Sequence, residues 1–149
     1  MSAQRTHSRR YAGAACAVMA LLIAPVWLCR IAPLSDWPNH LARLHVLAHY
    51  DSSERLRASY EPAWGPFPNL AIDLLGVPLT RAMPVDLAGR VLLSLALAAF
   101  AWGVIDLGRT LKGDWSWRAL IACFLALNES LLLGYVNFTF GMGLAFAAL

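Results

Sequence analysis

Residues Val91–Leu107 read VLLSLALAAFAWGVIDL, an apolar run that contains one charged residue, Asp106. Arg90 precedes the run, and Arg109 and Lys112 follow it. A bilayer hydrocarbon core about 30 Å thick is crossed by roughly 20 helical residues that rise about 1.5 Å each. The run and its basic flanks therefore predict a membrane-spanning helix and, with it, an all-α membrane fold.

The composition of the whole chain agrees with that prediction. Hydrophobic residues make up 59% of the 149 residues and charged residues 14%, against about 25% charged residues in soluble domains. The net charge is +3, and no basic run with interleaved aromatic residues occurs, so no nucleic-acid partner is predicted. Cys16, Cys29 and Cys123 form no CxxC pair, and we interpret them as small core residues. No metal is predicted, and no cofactor is assigned.

A second long apolar run, Tyr11–Cys29, follows a polar tail that carries three arginines. The run has no charged residue and is long enough to span a bilayer. A cleaved signal peptide is the alternative, because a basic start and an apolar middle suit both kinds of segment. The length of the run favours an uncleaved span, as does the lack of a small-x-small cleavage site at Trp27–Arg30.

We therefore predict a single polytopic membrane region with about three to four transmembrane helices. Its segments, in order, are a cytoplasmic tail at 1–10, span one at 11–29, an extracytoplasmic loop at 30–90, span two at 91–107, a cytoplasmic linker at 108–118, span three at 119–136 and an incomplete span four at 138–149. Because the last run is too short to span and is apolar up to Leu149, we expect the chain to be the opening part of a larger, truncated protein.

The orientation follows from the positive-inside rule, which counts basic residues in short loops and largely ignores long ones. The N-terminal tail and the 108–118 linker each carry three basic residues and are therefore predicted to be cytoplasmic. Arg30 and Arg90 flank the long, locally neutral loop and argue mildly for the opposite orientation. The prediction is a multi-pass protein of the plasma membrane with a cytoplasmic N-terminus.

The first loop opens with a helical pattern. Asp36–His49 reads DWPNHLARLHVLAH, in which Asp36, or Ser35 before it, can cap the helix and Pro38 suits its first turn. At about 100° per residue the apolar residues form one stripe, which predicts an amphipathic helix along the membrane surface. The members of this stripe are Trp37, Leu41, Leu44 and Ala48.

The neighbouring polar face of this helix carries the candidate chemistry. Asp36, His40 and Arg43 fall within about 60° of one another. Asp36 could act as a general base or metal ligand, His40 could share that work, and Arg43 could hold a phosphate by bidentate hydrogen bonds. The alternative, which the spacing alone favours, is a solvated face of capping and ion-pair residues. His45 and His49 have metal-ligand spacing without a neighbouring carboxylate, which favours packing at the interface.

Two later segments also leave alternatives open. Tyr60–Asn69 reads YEPAWGPFPN and is interpreted as an interfacial anchor, with a sugar-stacking surface as the alternative. Glu129 lies near the middle of the run at 119–136, where a carboxylate at membrane depth is a functional candidate. If that run instead ends near Leu127, Glu129 lies at the extracytoplasmic surface on the same side as Asp36.

The stretch Pro33–Arg43, PLSDWPNHLAR, resembles the opening external loop of bacterial membrane proteins of the GT-C class of glycosyltransferases. The layout of residues 10–149 is similar to that class as well. The resemblance implies a catalytic role for Asp36, a polyprenyl-phosphate-linked sugar donor, membrane lipid as surroundings and a bacterial inner-membrane location. The loop lacks the acidic doublet and the Asp-x-Asp of the class. We extend the analogy to Arg43 as a ligand of the lipid phosphate, with Glu129 as a further substrate-binding residue.

Two functions are thus open. The first is the N-terminal part of a glycosyltransferase with its site on the extracytoplasmic face. The second is a non-enzymatic transporter or assembly subunit, in which Asp36, His40 and Arg43 form a structural ion-pair set.

Overall fold

The computed structural model describes residues 2–62, 65, 70–112 and 116–149, and within these ranges it is helical and contains no strand. The prediction of an all-α fold is confirmed for this part of the chain. The elements are α1 Ser2–Leu28, α2 Trp37–His49, α3 Glu54–Ser59, α4 Ala71–Ala82, α5 Val85–Lys112, α6 Trp117–Ala122, a 3-10 helix Cys123–Ala126, α7 Glu129–Leu132 and α8 Val136–Ala147.

Among the residues that the structure describes, two helices are long and apolar enough to cross a membrane, Arg9–Leu28 within α1 and Val85–Lys112, which is α5. They contain nearly all of the two longest predicted spans. In α1 only 17% of the most apolar window is buried inside the fold, whereas in α5 the share is 44%. Helix α1 therefore leaves most of its apolar surface uncovered within the fold, unlike the mostly buried core helix of a soluble protein.

Helices α1 and α5 run antiparallel, with contacts at both ends. At one end the Arg30 Nε lies 3.0 Å from the Asp86 Oδ2, and the Trp27 indole N–H donates to the Ser94 hydroxyl at 3.1 Å. At the other end the Tyr11 hydroxyl donates to the carbonyl of Ser116 at 3.2 Å. The segment 29–84 therefore joins helix ends that lie side by side.

Helix α5 begins six residues before the predicted span at Val91. Asp86 lies in its first turn, where a carboxylate is favoured by the helix dipole, and the Leu87 and Ala88 amides donate to the Pro84 carbonyl at 3.0 Å. The apolar run covers only part of α5. The polar first turn of the helix lies before the run and outside the predicted span.

An amphipathic helix is predicted at residues 36–49, and α2 at Trp37–His49 has the predicted apolar stripe on one side. Trp37, Leu41 and Leu44 are buried, and Ala48 is partly buried against the same core. Leu47 is also buried. The apolar stripe packs on α4 and α5, so this helix is held by the protein itself.

The segment 119–136, predicted as a third span, is not one helix. It is divided into the end of α6, the 3-10 helix and α7. The side chain of Asn128 accepts from the Leu131 amide at 3.1 Å and caps α7, and Gly134 has a φ of +94°, which favours glycine. These two residues break the run at both ends of α7. The layout of the segment 119–136 corresponds to the alternative in which a short helix ends near Leu127.

The structure changes the interpretation of the cysteines, and two other interpreted segments fall partly on residues that it does not describe. Cys123 is buried as predicted, whereas Cys16 and Cys29 are exposed, so the core interpretation is wrong for those two. They lie in and just beyond α1, whose surface is mostly uncovered. Most of the aromatic segment Tyr60–Asn69 and residues 113–115 of the linker lie outside the described residues.

The closest helix crossing in the fold joins α5 to α8. A Cβ added at Gly143 would overlap the backbone of Ala99 and Phe100, and one added at Gly103 would overlap the backbone of Gly143. A Cβ at Gly141, by contrast, would meet no atom within 4 Å. Glycine at the crossing lets the two backbones touch, as small residues do between membrane helices.

We expect Gly143→Ala to lower the free energy of unfolding by about 1–3 kcal/mol, because the added methyl group forces the two backbones apart. The matched change Gly141→Ala on the same helix should stay within about 1 kcal/mol of the parent, since alanine favours helix. Titration with SDS in mild detergent, followed by circular dichroism, measures both. Equal effects of the two substitutions would contradict the crossing.

Candidate functional site

The backbone around Asp36 is fixed by the turn that follows α7. The amides of Ser35 and Asp36 donate to the carbonyls of Leu132 and Leu133, each at 3.0 Å. Gly134 lies against Asp36, and a Cβ on that glycine would come within 2.9 Å of the Asp36 nitrogen. A segment distant in sequence thus holds the start of α2 at the end of α1.

The Asp36 carboxylate faces two neighbours on α2. The side-chain amide of Asn39 donates to Oδ1 at 2.8 Å, and Oδ2 lies 3.4 Å from the Nε2 of His40. Asp36 makes no side-chain hydrogen bond to the helix N-terminus, so its carboxylate is not used as a cap. Its side chain is 45% exposed and that of His40 is 20% exposed, which leaves the pair open to a ligand.

The predicted trio of Asp36, His40 and Arg43 is divided in the structure. The Arg43 Nε donates to the Asp73 Oδ2 at 2.8 Å, across the contact between α2 and α4. The Asp73 side chain is 6% exposed and that of Arg43 is 50% exposed. The first two residues therefore form one pair, and Arg43 belongs to a second pair with a buried acid.

Sequence reasoning did not assign a partner to Asp73. The available signal was its position as the one acid in the apolar stretch 69–83, since a buried carboxylate requires a counter-charge. The terminal nitrogens of Arg43 have no hydrogen-bond partner among the described residues. An arginine held through Nε can still present those nitrogens to an anion.

Glu129 is the first residue of α7, and it is exposed. Its helix ends next to Leu132 and Leu133, the two residues whose carbonyls hold the loop before Asp36. Glu129 thus lies on the exposed surface of the fold, and its helix lies beside the Asp36 loop. No contact joins the Glu129 side chain to Asp36 within the described part of the chain.

An Asp–His pair of this kind can serve as a general base. In such a pair the carboxylate orients the imidazole, and the other ring nitrogen can take a proton from an acceptor hydroxyl. No set of three or more His, Cys, Asp or Glu side chains that could hold a metal ion occurs in the ranges that the structure describes.

Comparison of the chain with models of protein families, with curated proteins and with solved structures finds no match.

We expect a double-mutant cycle on Arg43 and Asp73, with alanine at each position, to give a coupling energy of about 1–2 kcal/mol. This value lies in the lower part of the range for contacting residues, because Arg43 is half exposed. The exposed pair Arg30 and Asp86 provides the control and should show weaker coupling. SDS titration of the four proteins of each cycle measures it, and equal coupling in the two pairs would contradict a buried contact at Asp73.

Proposed function

We propose that this chain is the N-terminal part of a membrane glycosyltransferase that uses a polyprenyl-phosphate-linked sugar donor on the extracytoplasmic face. The observation that carries the proposal is the exposed Asp36–His40 pair, held on a fixed backbone next to the end of the first apolar helix. The site residues are Asp36 and His40 as the catalytic pair and Arg43 and Glu129 as substrate-binding residues.

The position of the pair suits a substrate that is anchored in lipid. Asp36 follows the end of α1 by eight residues, and the loop between them is fixed against α7. A donor whose phosphate sits at the headgroup level would bring its sugar to this height. Membrane lipid and the polyprenyl phosphate are therefore the partners of the proposal.

The roles of the individual residues follow from their surroundings. Asp36 and His40 would take the proton from the acceptor hydroxyl as the new glycosidic bond forms, and the polyprenyl phosphate would leave with the electron pair of the broken bond. Arg43, held by Asp73, would stabilise the negative charge on that leaving phosphate. Glu129 could accept hydrogen bonds from sugar hydroxyls at the neighbouring turn.

A second candidate function is favoured by one contact. Arg43 pairs with the buried Asp73, which is the geometry of a structural ion pair. In that alternative the chain is part of a non-enzymatic transporter or assembly subunit, and the charged residues of α2 hold helices together. The two functions differ in what an isosteric substitution does at Asp36.

We expect Asp36→Asn to lower sugar transfer by at least about 100-fold in membranes that contain the full-length protein, with little change in protein level, because the amide can neither take a proton nor orient His40 as the carboxylate does. Radiolabelled polyprenyl-phosphate-linked hexose is the donor in the assay. Asp51→Asn, at an exposed acid of the same segment, is the control and should retain transfer. Near-normal transfer by Asp36→Asn would contradict the catalytic role.

The same assay tests Arg43. Lysine keeps a positive charge beside Asp73 but cannot form the bidentate fork. Arg43→Lys should therefore raise the KM for the donor. Expressed as a free energy, this loss of donor binding should exceed the loss in the free energy of unfolding. Loss of folded protein without a change in KM would support the structural alternative.

A further inference from the structure

A cleft of about 470 Å³ lies between the C-terminal ends of α2 and α4 and the start of α5. His45 and His49 line it from α2, Thr80 and Arg81 from α4, and Val85 from α5. None of the four residues of the proposed transferase site lines this cleft. The two histidines lie nine and thirteen residues beyond Asp36, about 13–20 Å along the helix.

The lining of the cleft is cationic. It contains Arg81 and two histidines and has no acidic side chain. The nearest acid along the chain on the α5 side is Asp86, whose Oδ2 lies 3.0 Å from the Arg30 Nε and 3.6 Å from an Arg90 terminal nitrogen. That carboxylate is thus already paired, and the cleft keeps its positive character.

Several hydrogen-bonding groups of the cleft have no protein partner among the described residues. The Thr80 hydroxyl is buried and unpaired, and the Thr80 residue is 4% exposed. The Arg81 Nε donates to the Ala48 carbonyl at 3.3 Å, while its terminal nitrogens are unpaired. The terminal nitrogens of Arg81 can therefore donate to a ligand, whereas the Thr80 hydroxyl has no surface that a ligand could contact.

The partial charges of the helix ends around the cleft also affect how favourably an anion would bind there. Helix α5 starts at Val85, and its N-terminal end carries a partial positive charge, although the Leu87 amide of its first turn already donates to the Pro84 carbonyl. The ends of α2 and α4 carry the opposite partial charge, and a donor contacts one carbonyl at each of these ends. Ser52 donates to the His49 carbonyl at 3.0 Å, and Met83 donates to the Leu79 carbonyl at 2.9 Å.

A metal ion fits this cleft poorly. The rings of His45 and His49 have centroids 4.6 Å apart and an interplanar angle of 30°. A metal bonds each imidazole in the plane of its ring at about 2.0–2.1 Å, and two nearly stacked rings do not direct their lone pairs at one point. The His49 Nδ1 also lies 3.0 Å from the His45 carbonyl, and Arg81 adds a fixed positive charge.

We propose that this cleft binds the phosphate group of a phosphate ester. Arg81 and the two histidines offer more donors than the two oxygens of a carboxylate require, and guanidinium matches the geometry of phosphate. The volume of about 470 Å³ is within the range of small-molecule pockets, roughly 300–1,000 Å³, so there is room for the esterified group as well.

The ester has two sources with the same headgroup chemistry. The cleft includes Val85, the residue before Asp86. Asp86 contacts Arg30 at the level where α1 ends and α5 begins. A lipid phosphate could reach it from the membrane, and a soluble phosphate ester could reach it from the aqueous phase. The proposal is independent of the transferase activity, because the cleft uses other residues.

The test measures phosphate binding by the purified protein in nanodiscs. Glycerol 3-phosphate titrated into phosphatidylcholine nanodiscs is the soluble probe, followed by calorimetry. Phosphatidic acid mixed into the discs is the lipid probe, with retained lipid counted by native mass spectrometry. Binding of either probe that depends on Arg81 supports the proposal, and the probe that binds identifies the source.

Arg81→Gln should weaken binding at least about tenfold, since it removes the fixed charge and the fork. Thr80→Val should leave binding unchanged, because the Thr80 hydroxyl has no surface open to the cleft and valine has nearly the same shape. Arg55→Gln, at an exposed arginine of α3, is the matched control and should bind as the parent does. Failure of both probes to bind, or equal loss in Arg81→Gln and Arg55→Gln, would overturn the proposal.

Discussion

The contact on which the rest of the fold depends is the crossing of α5 and α8 at Gly143, where the two backbones touch. The crossing fixes α8 on α5. It thereby also fixes the residues at the N-terminal end of α8. The side chain of Asn137 accepts a hydrogen bond from the Ile72 amide at 2.9 Å and so positions the first turn of α4. The Gly134 turn just before α8 holds the Asp36 loop. One close crossing thus places both the candidate site and the helix that supplies Asp73.

A second constraint aligns the candidate spans. Asp86 lies between Arg30 and Arg90, and the Arg90 guanidinium lies 5.7 Å from the centre of the Trp27 ring. Charged groups with an aromatic neighbour suit the boundary between lipid and water, where arginine can extend towards the headgroups. The cluster ties the end of α1 to the start of α5. The chain therefore leaves α1 and enters α5 at neighbouring points.

Local sequence patterns predicted more of the fold than of the candidate site. Apolar runs located α1 and α5, and periodicity located α2 with its buried Trp37, because both signals depend on neighbouring residues alone. The partner of Arg43 is Asp73, 30 residues away, and no local pattern encodes that pairing. The break in the third run depends on Asn128 as a helix cap and on the positive φ of Gly134, features that composition does not reveal. The phosphate cleft joins three helices and therefore required the tertiary structure.

We propose that α1 and α5 cross the membrane in opposite directions, so that the part of the chain between them lies on the outer face. Single cysteines at Ser53 and Ser116, in a protein whose Cys16, Cys29 and Cys123 are replaced by alanine, test it most directly. An impermeant maleimide added to intact cells should label the cysteine at 53 and should reach the one at 116 only after permeabilisation. Labelling of both positions in intact cells, or of position 116 alone, would contradict the account.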